Sequence, residues 1–148
     1  MIALPKSKAA VDVAALIITS RESDFECLFR IFYGHGWTLQ LARSVREACT
    51  ALDKYDFPVI VCESELPDGT WRRVRGHLGG TPAQFIVCSR LAEERLWVEV
   101  LEAGGYDVIA TPFRDDDAAR VIRGAYLEWL IDRAASAAGI AQHRAHNA

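Results

Sequence analysis

The chain has 148 residues, 17 Lys+Arg against 20 Asp+Glu, and a net charge of −3 at pH 7. That length suits one domain around one core, and so small a charge provides no field to draw nucleic acid or an anionic membrane. No apolar run is long enough to span a bilayer as a helix. The start, MIALPKSKAA, is too short and too weakly apolar for a secretory signal. Cys27, Cys49, Cys62 and Cys88 have no C-x-x-C spacing. They read as reduced structural thiols of a cytoplasmic protein.

In chain order, Val13–Ile18 is the first continuous apolar run of strand length. Such runs suit strands covered on both faces, as in a parallel sheet. Phe25, Leu28, Phe29 and Phe32 then recur at helical spacing, and Gly34 and Gly36 end that helix. Leu39 and Leu41 alternate with Thr38 and Gln40, the pattern of a half-buried edge strand. Ser44 and Glu47 form a capping box opening a helix with Val45, Ala48, Cys49 and Leu52 on its inner face. Val59–Cys62 is the second apolar run, followed by Glu63 and a Leu66-Pro67-Asp68-Gly69 turn.

Trp71, Arg72, Arg73, Arg75 and His77 make a compact basic patch. In an acidic chain this reads as a solvated helix face, because a nucleic-acid surface wants a larger patch on a basic domain. Phe85–Cys88 is the third apolar run, and Trp97, Val100 and Leu101 mark a helix closed by Gly104-Gly105. Val108–Ala110 is a short strand before Pro112. Asp115, Asp116 and Asp117 put negative charge at the positive end of a last helix expected over 116–138, with Val121, Ile122, Ala125 and Trp129 as its buried stripe. Its last two turns should project beyond the body. Leu127, Ile131, Ala134 and Ala138 there fall at alternating four- and three-residue spacing, a coiled-coil-like seam. His143 and His146 follow in a tail and receive no metal role.

The order is five β-α units with no internal linker, which predicts one doubly wound parallel sheet with helices on both faces. Function in such sheets gathers at the carboxyl ends of the strands. Thr19, Ser20, Glu63, Ser89, Arg90 and Thr111 all fall at those tips. No Ser-His-Asp or Cys-His arrangement and no glycine-rich phosphate loop stands out.

Over about residues 13–130 the chain resembles a bacterial response-regulator receiver domain. The matching segments are ALIITS, ELPDG, FIVCSR and LEAGGYDVIATPF, in order and at the family's separations. The resemblance implies a flavodoxin-like α/β fold with strand order 2-1-3-4-5, an amino-terminal extension over 1–12, a receiver-like domain over 13–131, and a helical extension and tail over 132–148. It also implies a cis Thr111–Pro112 bond. A working receiver transfers a phosphoryl group to an Asp at the position of Glu63. Two acidic residues hold Mg²⁺ where this chain has Thr19 and Ser20. A Lys stands where Thr111 does, and an aromatic switch residue where Val108 does. Ser89 keeps its family role as the hydroxyl that bonds to the phosphoryl group.

Magnesium wants near-octahedral oxygen ligands, usually including one or two carboxylates. Phosphoryl transfer rests on positioning and charge, so loss of the metal clamp and of the lysine could each cost about 10²–10³-fold in rate. The resemblance therefore implies a degenerate pseudo-receiver: no enzyme, no cofactor, no metal, acting through protein–protein contact in two-component-type signalling. Rival readings are a receiver that still accepts phosphate on Glu63 or Ser89, and a flavodoxin-like module that binds a small molecule.

Glu63 either mimics a phosphorylated acceptor, its extra methylene carrying the carboxylate towards Ser89, or is a drifted, solvated carboxylate. Arg21 and Arg90 are its candidate charge partners, since an unpaired carboxylate in a crevice is costly. The alternative is that both guanidiniums face solvent. Thr19 and Glu22 stand at capping-box spacing. Trp97, Val108, Leu127 and Ile131 make a candidate interaction surface for a signalling partner or a second copy, core burial of Trp97 being the alternative.

Overall fold

The computed structural model describes residues 13–139. The expectations for residues 1–12, His143 and His146 lie outside the described residues. In chain order the elements are β1 (Ala14–Ile18), α1 (Glu22–His35), β2 (Thr38–Ala42), α2 (Val45–Lys54), β3 (Val59–Glu63), β4 (Glu65–Leu66), β5 (Gly69–Thr70), α3 (Trp71–Leu78), β6 (Gln84–Ser89), α4 (Glu94–Glu102), β7 (Asp107–Ala110) and α5 (Asp115–Ala137).

Five strands form one parallel sheet in the order β2-β1-β3-β6-β7. That is the expected 2-1-3-4-5 order, because β4 and β5 pair only with each other in an antiparallel hairpin. The apolar runs are continuous because both faces are covered. Val59 and Val61 of β3 pack with α1 and α5, while Ile60 and Cys62 pack with α2, α3 and α4. All five residues of β3 are buried, and each such Val or Ile contributes about 1.5–3 kcal/mol by leaving water. The chain leaves β1 towards one edge and returns through β3 towards the other, so a crevice opens at the carboxyl ends of β1 and β3.

Local chemistry sets the helix starts and ends. The Ser44 hydroxyl accepts from Glu47 N–H at 3.1 Å, and the Glu47 carboxylate reaches back to Arg43 N–H at 2.9 Å. Asp68, in the β4–β5 turn, adds a second cap, accepting from Val45 N–H at 2.8 Å and Arg46 N–H at 3.0 Å. Those two backbone bonds hold its carboxyl below the ordinary 3.8. At the end of α1, Gly36 takes a left-handed conformation, φ 71°, which turns the chain into Trp37.

Some expected inward positions are not inward. Phe29 is 36% exposed, and of Trp97, Val100 and Leu101, which mark α4, only Val100 is buried. Trp97 and Leu101 are exposed because α4 is short and flanks β7, an edge strand of four residues. The Trp97 indole N–H instead donates to Asp107 Oδ1 at 3.2 Å. Trp71 is no part of a solvated face. It is buried, and the Arg72 guanidinium lies over its ring at 4.6 Å. The last helix occupies 115–137, and its 23 residues give about 34 Å of rise. Trp129 is only half buried, since it lies beyond the strand layer. The Thr111–Pro112 bond is cis.

Candidate functional site

Glu63 ends β3, and its side chain, with 8% of the residue exposed, is held by the tip that follows β1. Its Oε1 accepts from the Thr19 hydroxyl at 2.9 Å, from Ser20 N–H at 3.1 Å and from the Ser20 hydroxyl at 3.4 Å. Its Oε2 accepts from Arg21 Nε at 2.7 Å. Both oxygens are thus engaged by the chain's own donors, one of them a cation. Such a charge-assisted bond is about twice as strong as a neutral one.

The structure places four of the sequence-predicted contacts as follows. Arg21 is the charge partner of Glu63. Arg90 lines the same cleft but is exposed, and makes no ion pair with Glu63 among the described residues. The Glu63 carboxylate turns towards Thr19, Ser20 and Arg21 rather than Ser89, because the β1 tip offers four donor contacts. The Ser89 hydroxyl instead accepts from Leu91 N–H at 3.1 Å. Nor does Thr19 form a capping box with Glu22. Arg21 is the N-cap of α1, and the Thr19 hydroxyl accepts Arg21 N–H at 3.1 Å while donating to Glu63. That relay ties the N-cap residue of α1 to Glu63.

Around Glu63 the cleft is lined by Asp24, Ser89, Arg90 and Thr111 among others, with a volume of about 390 Å³. Asp24 was not singled out by the sequence reading. In sequence it passes for a helix-dipole acid near the start of α1. The signal that would have found it is its phase: Asp24, Leu28 and Ile31 share one buried face. Only 7% exposed, its carboxyl titrates above 3.8 because burial disfavours the charge and Glu63 adds repulsion; Arg21 and Arg90 offset part of this. Cys88, at the floor, is raised strongly by burial and then by Glu63 and Asp24. A thiol so placed is a packing group and no nucleophile.

The donor set does not fit the magnesium ion that a working receiver holds. Thr19 and Ser20 supply neutral hydroxyls, and both Glu63 oxygens are already engaged by the chain's own donors. The Arg21 guanidinium sits beside them, where a cation would be repelled. Among the described residues no cluster of three His, Cys, Asp or Glu side chains could hold a metal.

No family model and no curated protein matches the sequence. Solved structures do. The chain is similar to a CheY-like response regulator receiver domain protein from Methanospirillum hungatei JF-1, at 17% identity and TM-score 0.74, covering 82% of this chain and 98% of that one. It is similar to the receiver domain of the Francisella response regulator 1452 (18%, TM-score 0.72, covering 79% and 98%). The beryllofluoride-activated NtrC4 receiver domain dimer matches at 24% and TM-score 0.73, covering 78% and 98%. This chain has the receiver fold. Within the receiver fold Glu63 stands at the end of the central strand, and the cis Thr111–Pro112 bond follows the last strand of the sheet. No helix among the described residues is long and apolar enough to cross a membrane.

Proposed function

We propose that this chain is a degenerate receiver of two-component-type signalling. It acts by docking to a signalling protein and accepts no phosphoryl group. One observation carries the reading: the Arg21–Glu63 ion pair at 2.7 Å, closed over a carboxylate that Thr19 and Ser20 also bind. A carboxylate with both oxygens committed to hydrogen bonds is a poor nucleophile. Arg21, the cation paired with it, is tethered to the chain and cannot be exchanged for a phosphoryl-bound metal. Arg21 thus does for Glu63 what metal and lysine do for a phosphoryl group in a working receiver: it neutralises charge at the tip of the central strand.

With the switch fixed, information would pass through surface contact. Trp97 is 46% exposed on α4, Leu127 40% and Ile131 55% exposed on α5, and Val108 of the edge strand β7 is half buried. Exposed Trp is a frequent binding hot spot, and this surface suits a signalling partner or a second copy of the chain. The test is a beryllofluoride and Mg²⁺ titration followed by amide NMR. The reading expects no saturable shift at Ser20, Ser64, Ser89 or Thr111. Saturable shifts at those amides would return the chain to the working receivers.

A further inference from the structure

At the pole opposite Glu63 lies a second cleft, of about 270 Å³. Tyr55, Asp56 and Phe57 enter it from the segment before β3, and Pro82 from the segment before β6. Trp129 and Arg133 close it from the turns of α5 that run past the strand layer. Gln84 at the start of β6 donates to Asp132 Oδ2 at 3.3 Å, tying those turns to the sheet. A shorter last helix would leave no such cleft, so the extension of α5 builds it.

The walls are aromatic. Tyr55 and Phe57 meet edge to face with centroids 6.2 Å apart, and the Trp129 ring is braced from behind by Tyr126 at 5.8 Å. Tyr55 is half exposed at 50%. The rim carries one charge of each sign. Arg133 lies over the Trp129 ring at 4.7 Å, and Asp56 stands on the β3 side. Neither has an ion pair or hydrogen bond among the described residues. A guanidinium and a carboxylate without ion-pair partners beside an apolar slot match a zwitterion with an apolar side chain. The volume lies just under the usual range of about 300–1,000 Å³ for small-molecule pockets. That suits a ligand of amino-acid size and leaves no room for a nucleotide.

We infer that this cleft binds a free aromatic α-amino acid. Its ring would lie against Tyr55 and Phe57 and the edge of Trp129, its carboxylate on Arg133 and its ammonium on Asp56. This site is separate from the Glu63 cleft, and its failure would leave the degenerate-receiver reading untouched. The probe is L-phenylalanine added to the full chain, followed by NMR of the Trp129 indole and the Phe57 and Thr81 amides. Phenylacetate, which lacks the ammonium, and phenethylamine, which lacks the carboxylate, serve as paired analogues. The expected result is saturable shifts with L-phenylalanine and binding weaker by about tenfold, one unit of affinity arithmetic, for each analogue. Arg133→Ala and Asp56→Ala should weaken L-phenylalanine by a similar factor. Both side chains are exposed, and an otherwise unchanged amide spectrum verifies that each variant is folded. Absence of saturation with L-phenylalanine, or undiminished binding in both variants, overturns the inference.

Discussion

Replacing Arg21 by Ala isolates what the tethered cation does. Breaking a fully buried ion pair by removing one partner costs about 3–5 kcal/mol, because a charge is left unpaired in low dielectric. Two features reduce that here. The Arg21 side chain is 44% exposed, and Glu63 keeps three other donor contacts from Thr19 and Ser20. Exposed pairs are worth about 0.2–1 kcal/mol, so an intermediate loss of about 1–2 kcal/mol is expected. For a domain of this size that is a melting-temperature drop of about 3–8 °C. Arg21 also offsets the repulsion at Asp24, so its removal pushes that carboxyl further up. A folded-state carboxyl pKa above its unfolded value destabilises once pH exceeds it. The deficit of Arg21→Ala should therefore be largest at neutral pH and shrink as pH falls towards the carboxylate range. The assay is thermal and urea unfolding of Arg21→Ala, Glu63→Gln and the double variant. A coupling energy within the additivity error of about 0.3–0.5 kcal/mol would refute the argument that Arg21 stabilises Glu63.

The remaining predictions concern the neighbours of that pair and the outer surface. Asp24→Asn should raise stability at neutral pH, since it removes a buried carboxylate whose pKa is raised from 3.8. The sign follows from the raised value: the cost is full above the folded pKa and vanishes below the unfolded one. The advantage should fade on acidification, as unfolding curves across that range would show. Asp68→Ala should lower the melting temperature at neutral pH by uncapping α2, with the difference lost as pH falls below the ordinary 3.8, because that carboxyl's pKa is depressed. If α5 and Trp97 form a dimer surface, light scattering at micromolar concentration will give a dimer mass that Ile131→Asp converts to a monomer. A monomer mass for both proteins removes the dimer.

That the sheet is covered on both faces was legible because Val59–Cys62 and Phe85–Cys88 are apolar without alternation, whereas the 2-1-3-4-5 strand order came from the resemblance to receivers. The capping box at Ser44 and Glu47 was legible for the same local reason: both partners lie within one turn. The Asp68 cap was not, since it joins residues 22 and 23 apart across the β4–β5 turn. The tips that line the cleft followed from topology alone. Which of them would meet was another matter. Arg21 and Arg90 are equivalent in sequence, each directly after a strand tip, yet only Arg21 can reach Glu63 while its own backbone caps α1. Asp24 was missed because a lone acid near a helix start has an ordinary explanation in the dipole. Helical periodicity likewise grouped Phe29 with the inner residues of α1, where it could not see that α1 borders an open edge of the sheet, while the exposure of Trp97 agrees with its place on the candidate interaction surface.

The central claim is that Glu63 is committed to the chain's own donors and takes no phosphoryl group. The most direct measurement is intact-mass spectrometry of the full chain after incubation with acetyl phosphate and Mg²⁺, alongside a working receiver. The account predicts an unchanged mass for this protein while the working receiver gains one phosphoryl increment. A phosphoryl increment on this chain that disappears in Glu63→Gln or Ser89→Ala would contradict it.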